Sequence, residues 1–240
     1  MKRFGATIVG LAFLAVAASA DAQVAQNEFQ VAAYGGYQSF GGGSGLKAGP
    51  TLGGSASYYV TENIGIGIWT DLTFGEVDGS KFPIAALSFG DSTTLNVINQ
   101  PADIWNYGLN LNLRLPLGGS LVPYAVLGGG GYRVFLDPQQ WSGVASETGL
   151  IVRLDFGVNF AATEALGFQL AVTDHWYPDW GLQDDFFKLY PVSDQPVGLG
   201  QQRKNVINDR FPELNPDTNA LSNSVHNFSI VAGVTLVPGR

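Results

Sequence analysis

TGLIVRLDFGVNFAATEALGFQLAVTDHWY, running from Thr148 to Tyr177, decides the fold. In its first limb Leu150, Val152, Leu154, Phe156, Val158 and Phe160 share one parity, against Arg153, Asp155, Gly157 and Asn159 on the other. Ala161 to Ala165 turn the chain, and the second limb repeats the pattern. Leu166, Phe168, Leu170, Val172 and Trp176 alternate with Gly167, Gln169, Ala171, Thr173 and His175. A period of two means a β-strand with one apolar and one polar face. Limbs of roughly ten residues exceed the usual strand of about 5–6. They match the roughly 9–11 tilted residues that cross a bilayer. The stretch therefore reads as a membrane-spanning hairpin.

The rest of the 240 residues has to accommodate such a hairpin. Met1-Lys2-Arg3 precedes an Ala-rich apolar run from about Ile8 to Ala18. The small-x-small sites Ala18-Ser19-Ala20 and Ala20-Asp21-Ala22 follow, so residues 1–22 are expected to be a cleaved secretory signal and 23–240 the barrel domain. Removal of Lys2 and Arg3 leaves 10 basic against 19 or 20 acidic residues, an acidic balance that argues against nucleic acid as a partner. Absence of cysteine excludes disulfides, a lipoprotein anchor and thiolate metal sites. Beyond the leader no segment approaches 18 consecutive apolar residues, so crossing requires a closed barrel, which leaves no backbone edge in lipid.

Alternating segments recur near 28–40, 51–60, 63–75, 103–116, 120–135, 148–161, 165–177 and 225–237, predicting an all-β, eight-stranded antiparallel up-and-down barrel. Tight turns at 61–62, 117–119 and 162–164 alternate with longer connections at 41–50, 76–102, 136–147 and 178–224. That arrangement puts both termini on the short-turn, periplasmic side. Aromatic residues fall on the outward parity of the aliphatics in two groups. Phe29, Tyr58, Tyr124, Phe160 and Phe168 lie near the turns; Tyr37, Phe74, Trp105, Tyr132, Trp176 and Phe228 lie near the loops. These are expected to form girdles at the two membrane interfaces. The inward parity carries Asp71, Arg114, Arg133, Arg153 and Asp155 among Asn, Ser and Gly. Eight strands leave an interior that side chains fill, and unpaired charge there is costly. The three arginines are accordingly expected to meet the two aspartates in one ion-pair network, lining a solute path being the other reading.

In its leader, its eight alternating strands and its strict order of short and long connections, the chain resembles the OmpA-like family of eight-stranded outer-membrane β-barrels. The resemblance covers roughly 24–240 and names a fold more than an activity. It implies residence in the outer membrane of a Gram-negative-type bacterium, lipid as surroundings, and assembly by the outer-membrane insertion machinery. That machinery reads a final strand usually ending in an aromatic. Here Phe228 to Leu236 has the alternation without the terminal ring. The chain stops where the barrel closes, so cell-wall tethering is not implied.

Chemistry has few candidates. Outer-membrane lipid hydrolases resembling this fold use a His and a Ser two apart on one strand. His175 is followed by Trp176-Tyr177, and His226 has Ser229 three residues on, which puts the pair on opposite faces. No catalytic residue, metal site or cofactor is expected. Asp184-Asp185 and Asn215 to Asn219 lack the order of a calcium loop, and neither Gly41–Gly45 nor Gly128–Gly131 is a phosphate loop. The 178–224 connection carries Trp180, Phe186, Phe187, Leu189, Tyr190 and Phe211 with 7 acidic and 4 basic residues. Rings of that number either cover the barrel mouth or meet an extracellular or envelope partner. The sequence thus favours a non-enzymatic structural or surface-interaction protein, with a narrow pore for ions or small solutes as the alternative.

Overall fold

A computed structural model describes residues 26–41, 43–78, 83–88, 91–96, 101–117, 119–136, 147–180 and 224–238. The expected signal peptide and most of the 178–224 connection lie outside them. The described residues form eleven strands: β1 (Glu28–Phe40), β2 (Leu46–Lys47), β3 (Gly49–Tyr59), β4 (Ile64–Val77), β5 (Pro83–Ser88), β6 (Asp91–Asn96), β7 (Pro101–Arg114), β8 (Leu121–Leu136), β9 (Glu147–Ala161), β10 (Leu166–Tyr177) and β11 (Val225–Leu236). Eight of them, β1, β3, β4 and β7 to β11, pair antiparallel in a ring closed by β1 on β11 and β4 on β7. Closure satisfies every strand edge, the condition for a sheet in lipid. The connection after β4 carries its own hairpin, β5 with β6, where a loop was expected. Likewise β2, within the expected 41–50 loop, pairs with the end of β4.

Two tight turns share one construction. In Thr61-Glu-Asn-Ile64 the Thr61 hydroxyl accepts from the amides of Asn63 (3.3 Å) and Ile64 (3.0 Å); Thr163-Glu-Ala-Leu166 does the same with Ala165 (3.3 Å) and Leu166 (3.0 Å). A threonine that satisfies turn amides fixes the register of both limbs. It leaves Glu62 and Glu164 exposed at one end of the barrel.

The wall is apolar outside and mixed inside. Ile66, Ile68, Leu109, Leu127, Phe156, Val172 and Ile230 are exposed on the outer face. Phe29, Tyr58, Phe160 and Phe168 point outward near the turns, and Tyr37, Phe74, Trp105, Trp176 and Phe228 near the loops. β8 departs from the sequence reading. Its Tyr124 and Tyr132 face the lumen, and Arg133 faces out over the ring of Phe135 at 5.0 Å. The reason is local. Val122, Val126 and Val134 share the tyrosines' parity, Leu121, Leu127 and Phe135 take the other, and four central glycines carry no side chain to decide between them. Pairing decides. Tyr124 stands opposite Arg114 and Gly157, and Tyr132 opposite Asn106, all inward positions.

Glycines make room for these rings. Tyr34 lies opposite Gly53, Tyr59 opposite Gly65, Tyr124 opposite Gly157 and Tyr132 opposite Gly149. A methyl group on each glycine would come within 2.5, 2.9, 2.8 and 2.6 Å of its tyrosine. Outside the barrel, Tyr107 covers Gly131 in the same way, at 2.9 Å. An aromatic ring laid over a cross-strand glycine restores the contact area that the glycine forfeits.

Candidate functional site

The lumen has three levels. Its loop-side end is a plug of aromatic and aliphatic side chains. Phe40, Leu46, Val77, Ala102, Ile104, Tyr132, Val134, Ile151, Tyr177, Trp180 and Val225 pack as one buried cluster with Trp69 beneath. Trp180, first of the loop aromatics, stacks on Tyr132 (5.5 Å) and meets Tyr177 edge-on (5.2 Å). Its indole donates to Ser44 O at 3.0 Å, and Tyr132 Oη donates to Asp179 O at 2.8 Å. Two connections are thereby fastened across the mouth. Of the two roles open to the 178–224 rings, Trp180 takes the cover over the mouth; the others lie outside the described residues.

Charge occupies the middle level. Arg153 grips Asp155 through Nε (2.8 and 3.0 Å) and Nη2 (2.6 Å), and its Nη1 donates to Tyr34 Oη at 2.6 Å. Asp71 Oδ2 stands 3.7 Å from Nη1, while its Oδ1 accepts from Asn106 Nδ2 at 2.7 Å. The guanidinium also lies over the Trp69 ring at 4.8 Å. His175 Nε2 is 3.3 Å from Asp71 Oδ2, within ion-pair range for a charged imidazole but off the hydrogen-bond direction, so both atoms keep unused hydrogen-bonding capacity. Arg153, Asp155 and Asp71 thus meet, held by β9 and β4. A fork on one carboxylate with a second beside it offsets most of the desolvation of a buried guanidinium.

Arg114 and Arg133 do not join them. Arg133 is on the outer wall. Arg114 points inward from the end of β7, one level lower, where its guanidinium sits 3.9 Å over the Tyr59 ring and donates through Nη2 to Gln30 Oε1. Strand tilt separates the levels: Arg114 pairs with Tyr124, a full four residues along β8 from Gly128, the partner of Arg153. Ser57, Asn110 and Asn112 fill the space between, with Asn112 Nδ2 donating to Ser57 Oγ at 3.0 Å. Small cavities of about 30 and 40 Å³ remain here and at the turn-side mouth.

On the outer rim, His226 Nδ1 contacts Asp174 Oδ2 at 2.9 Å, and its ring stacks on Trp176 at 5.9 Å. Ser229 is inward and buried, on the opposite face from His226. Ser224, two residues before His226, accepts through its Oγ from Trp176 Nε1 at 2.8 Å. Among the described residues no group of three metal-ligating side chains forms.

A closed ring of eight long strands, apolar outside and mixed within, defines an outer-membrane barrel. The sequence matches the outer membrane protein beta-barrel domain over residues 8–189, most of its length, and the chain belongs to that family. It is similar in structure to neisserial surface protein A, at 13% identity and a TM-score of 0.51, covering 87% of this chain and 96% of that one. The N-terminal barrel of OprF from Pseudomonas aeruginosa (12%, TM-score 0.39, 89% and 100% covered) also matches. So does Ail, the attachment invasion locus protein of Yersinia pestis, in complex with the heparin analogue sucrose octasulfate (10%, TM-score 0.41, 88% and 99% covered). No curated protein matches by sequence. The family places the chain in the outer membrane of Gram-negative bacteria.

Proposed function

We propose that the protein is a non-enzymatic outer-membrane barrel whose specific contacts are made by its long connections, 178–224 above all, presented outside the cell with the termini in the periplasm. The observation that carries this reading is the filled lumen: the plug around Trp180 caps a paired charge cluster, leaving the long connections as the surface for specific contacts. The mature chain, 23–240, reaches this place through its signal peptide and the insertion machinery. Two measurements test it. Refolded protein in planar bilayers should insert without steady conductance, and binding to cells or envelope components should vanish when 181–223 are replaced by a short linker while the barrel stays folded. Steady conductance altered by Arg153→Ala or Arg114→Ala would instead establish the narrow pore, a reading favoured only by the small polar cavities of the turn-side half.

A further inference from the structure

We infer that the turn-side mouth of the barrel is a binding site for a small oxyanion, phosphate or carboxylate, held by Arg114. Three observations meet there. Arg114 is 8% exposed and, among the described residues, has no carboxylate within ion-pair distance; its charge rests against the Tyr59 ring and one amide oxygen of Gln30. Its Nε is buried without a hydrogen-bond partner, in contrast to Arg153, whose Nε and both Nη atoms are engaged. Lastly, Arg114 forms the wall of the mouth pocket of about 40 Å³, room for two or three waters on the scale where one needs about 10–15 Å³.

A guanidinium that lines the pocket with one donor unmet fits a planar or tetrahedral oxyanion better than any neutral ligand. The remaining lining supplies further donors: the amides of Gln30 and Asn159 and the hydroxyl of Thr235. Asn159 Oδ1, buried without a partner, is an acceptor and disfavours an anion. Acidic groups oppose the anion at the edge. Glu62 and Glu164, from the two threonine-built turns, line the pocket's outer rim, and Glu28, near the start of β1, acts on Arg114 from beyond ion-pair distance. They attract cations to the mouth and lower the affinity for anions without occupying the Nε edge. The site is therefore weak by construction, and its strength is set by two exposed turn residues.

The test uses the refolded protein in a maltoside micelle, free of phosphate headgroups, at constant ionic strength in sodium chloride. The Nε–Hε resonance of Arg114 is followed by NMR as sodium phosphate, then sodium acetate, replaces chloride. The expected result is a saturable downfield movement with either oxyanion. Glu62→Gln and Glu164→Gln should each tighten apparent binding about two- to threefold, the effect of one unit charge roughly 8 Å away in a water-like medium. Both sit in exposed turns, so the variants fold whether or not Arg114→Gln does. A resonance that stays still, that moves without saturating, or that moves equally with chloride overturns the site. So does an affinity unchanged or weakened by the glutamate substitutions.

Discussion

Two arginines in one lumen are buried on opposite terms. Arg153 is enclosed by Asp155, Asp71, Tyr34 and Trp69, and every polar edge it presents is met. Arg114, four rungs lower, has an aromatic face, an amide and an empty edge. The first belongs to a closed half of the barrel, sealed above by rings; the second lines the pocket at the turn-side mouth. The difference teaches that burial alone does not assign a role. The same side chain is a structural clamp where carboxylates converge and a ligand-facing group where they do not.

Substitutions sharpen the contrast. Removing the clamp should cost most: Arg153→Ala strands two carboxylates and should lower the unfolding free energy in denaturant titrations by about 3–5 kcal/mol. Arg114→Met should change it by less than about 1 kcal/mol, because no buried partner is left behind; equal losses would erase the distinction. Next comes the seal. Trp180→Ala removes a ring packed on Tyr132 and Tyr177 and should cost about 3 kcal/mol. A neutral result would mean that the plug holds without it. Smallest are the wall glycines. Gly149→Ala drives a methyl to 2.6 Å from the Tyr132 ring and should cost roughly 1–3 kcal/mol. Gly129→Ala, outward with nothing within 4 Å, should be neutral or stabilise by about 0.5 kcal/mol.

Much of this was legible in the sequence, for identifiable reasons. In β9 and β10, Ile151 and Asp174 apart, the aliphatics sit on one parity and the polar groups on the other, so the face of Arg153, Asp155, Phe168 and Trp176 followed from the period alone. β8 misled because valines line its inner face and leucines its outer one; hydrophobicity says that a side chain avoids water, not which side of a wall it takes. Tyr124, Tyr132 and Arg133 were inverted on that account. The plug was illegible for the same cause: Ile104, Ile151 and Val225 carry no mark distinguishing a plugged lumen from lipid. The ion-pair network was read by type but not by height. Only the register, which stacks Arg153 beside His175 and drops Arg114 to the level of Tyr59 and Tyr124, separates them.

The tyrosines laid over glycines have a consequence for how the chain gets into the membrane. Each ring covers a glycine on the strand that follows it around the wall: Tyr34 on Gly53, Tyr59 on Gly65, Tyr107 on Gly131, Tyr124 on Gly157 and Tyr132 on Gly149. Every match lies within one hairpin or its neighbouring limb, and a slip of one residue would send ring and glycine to opposite faces. The chain thus carries alignment keys that can be checked pair by pair as strands are laid down. Four other junctions, β4 with β7, β9 with β10, β10 with β11 and the seam of β11 with β1, carry no ring of this kind among the described residues, so their alignment rests on side-chain alternation and on the keyed half of the wall.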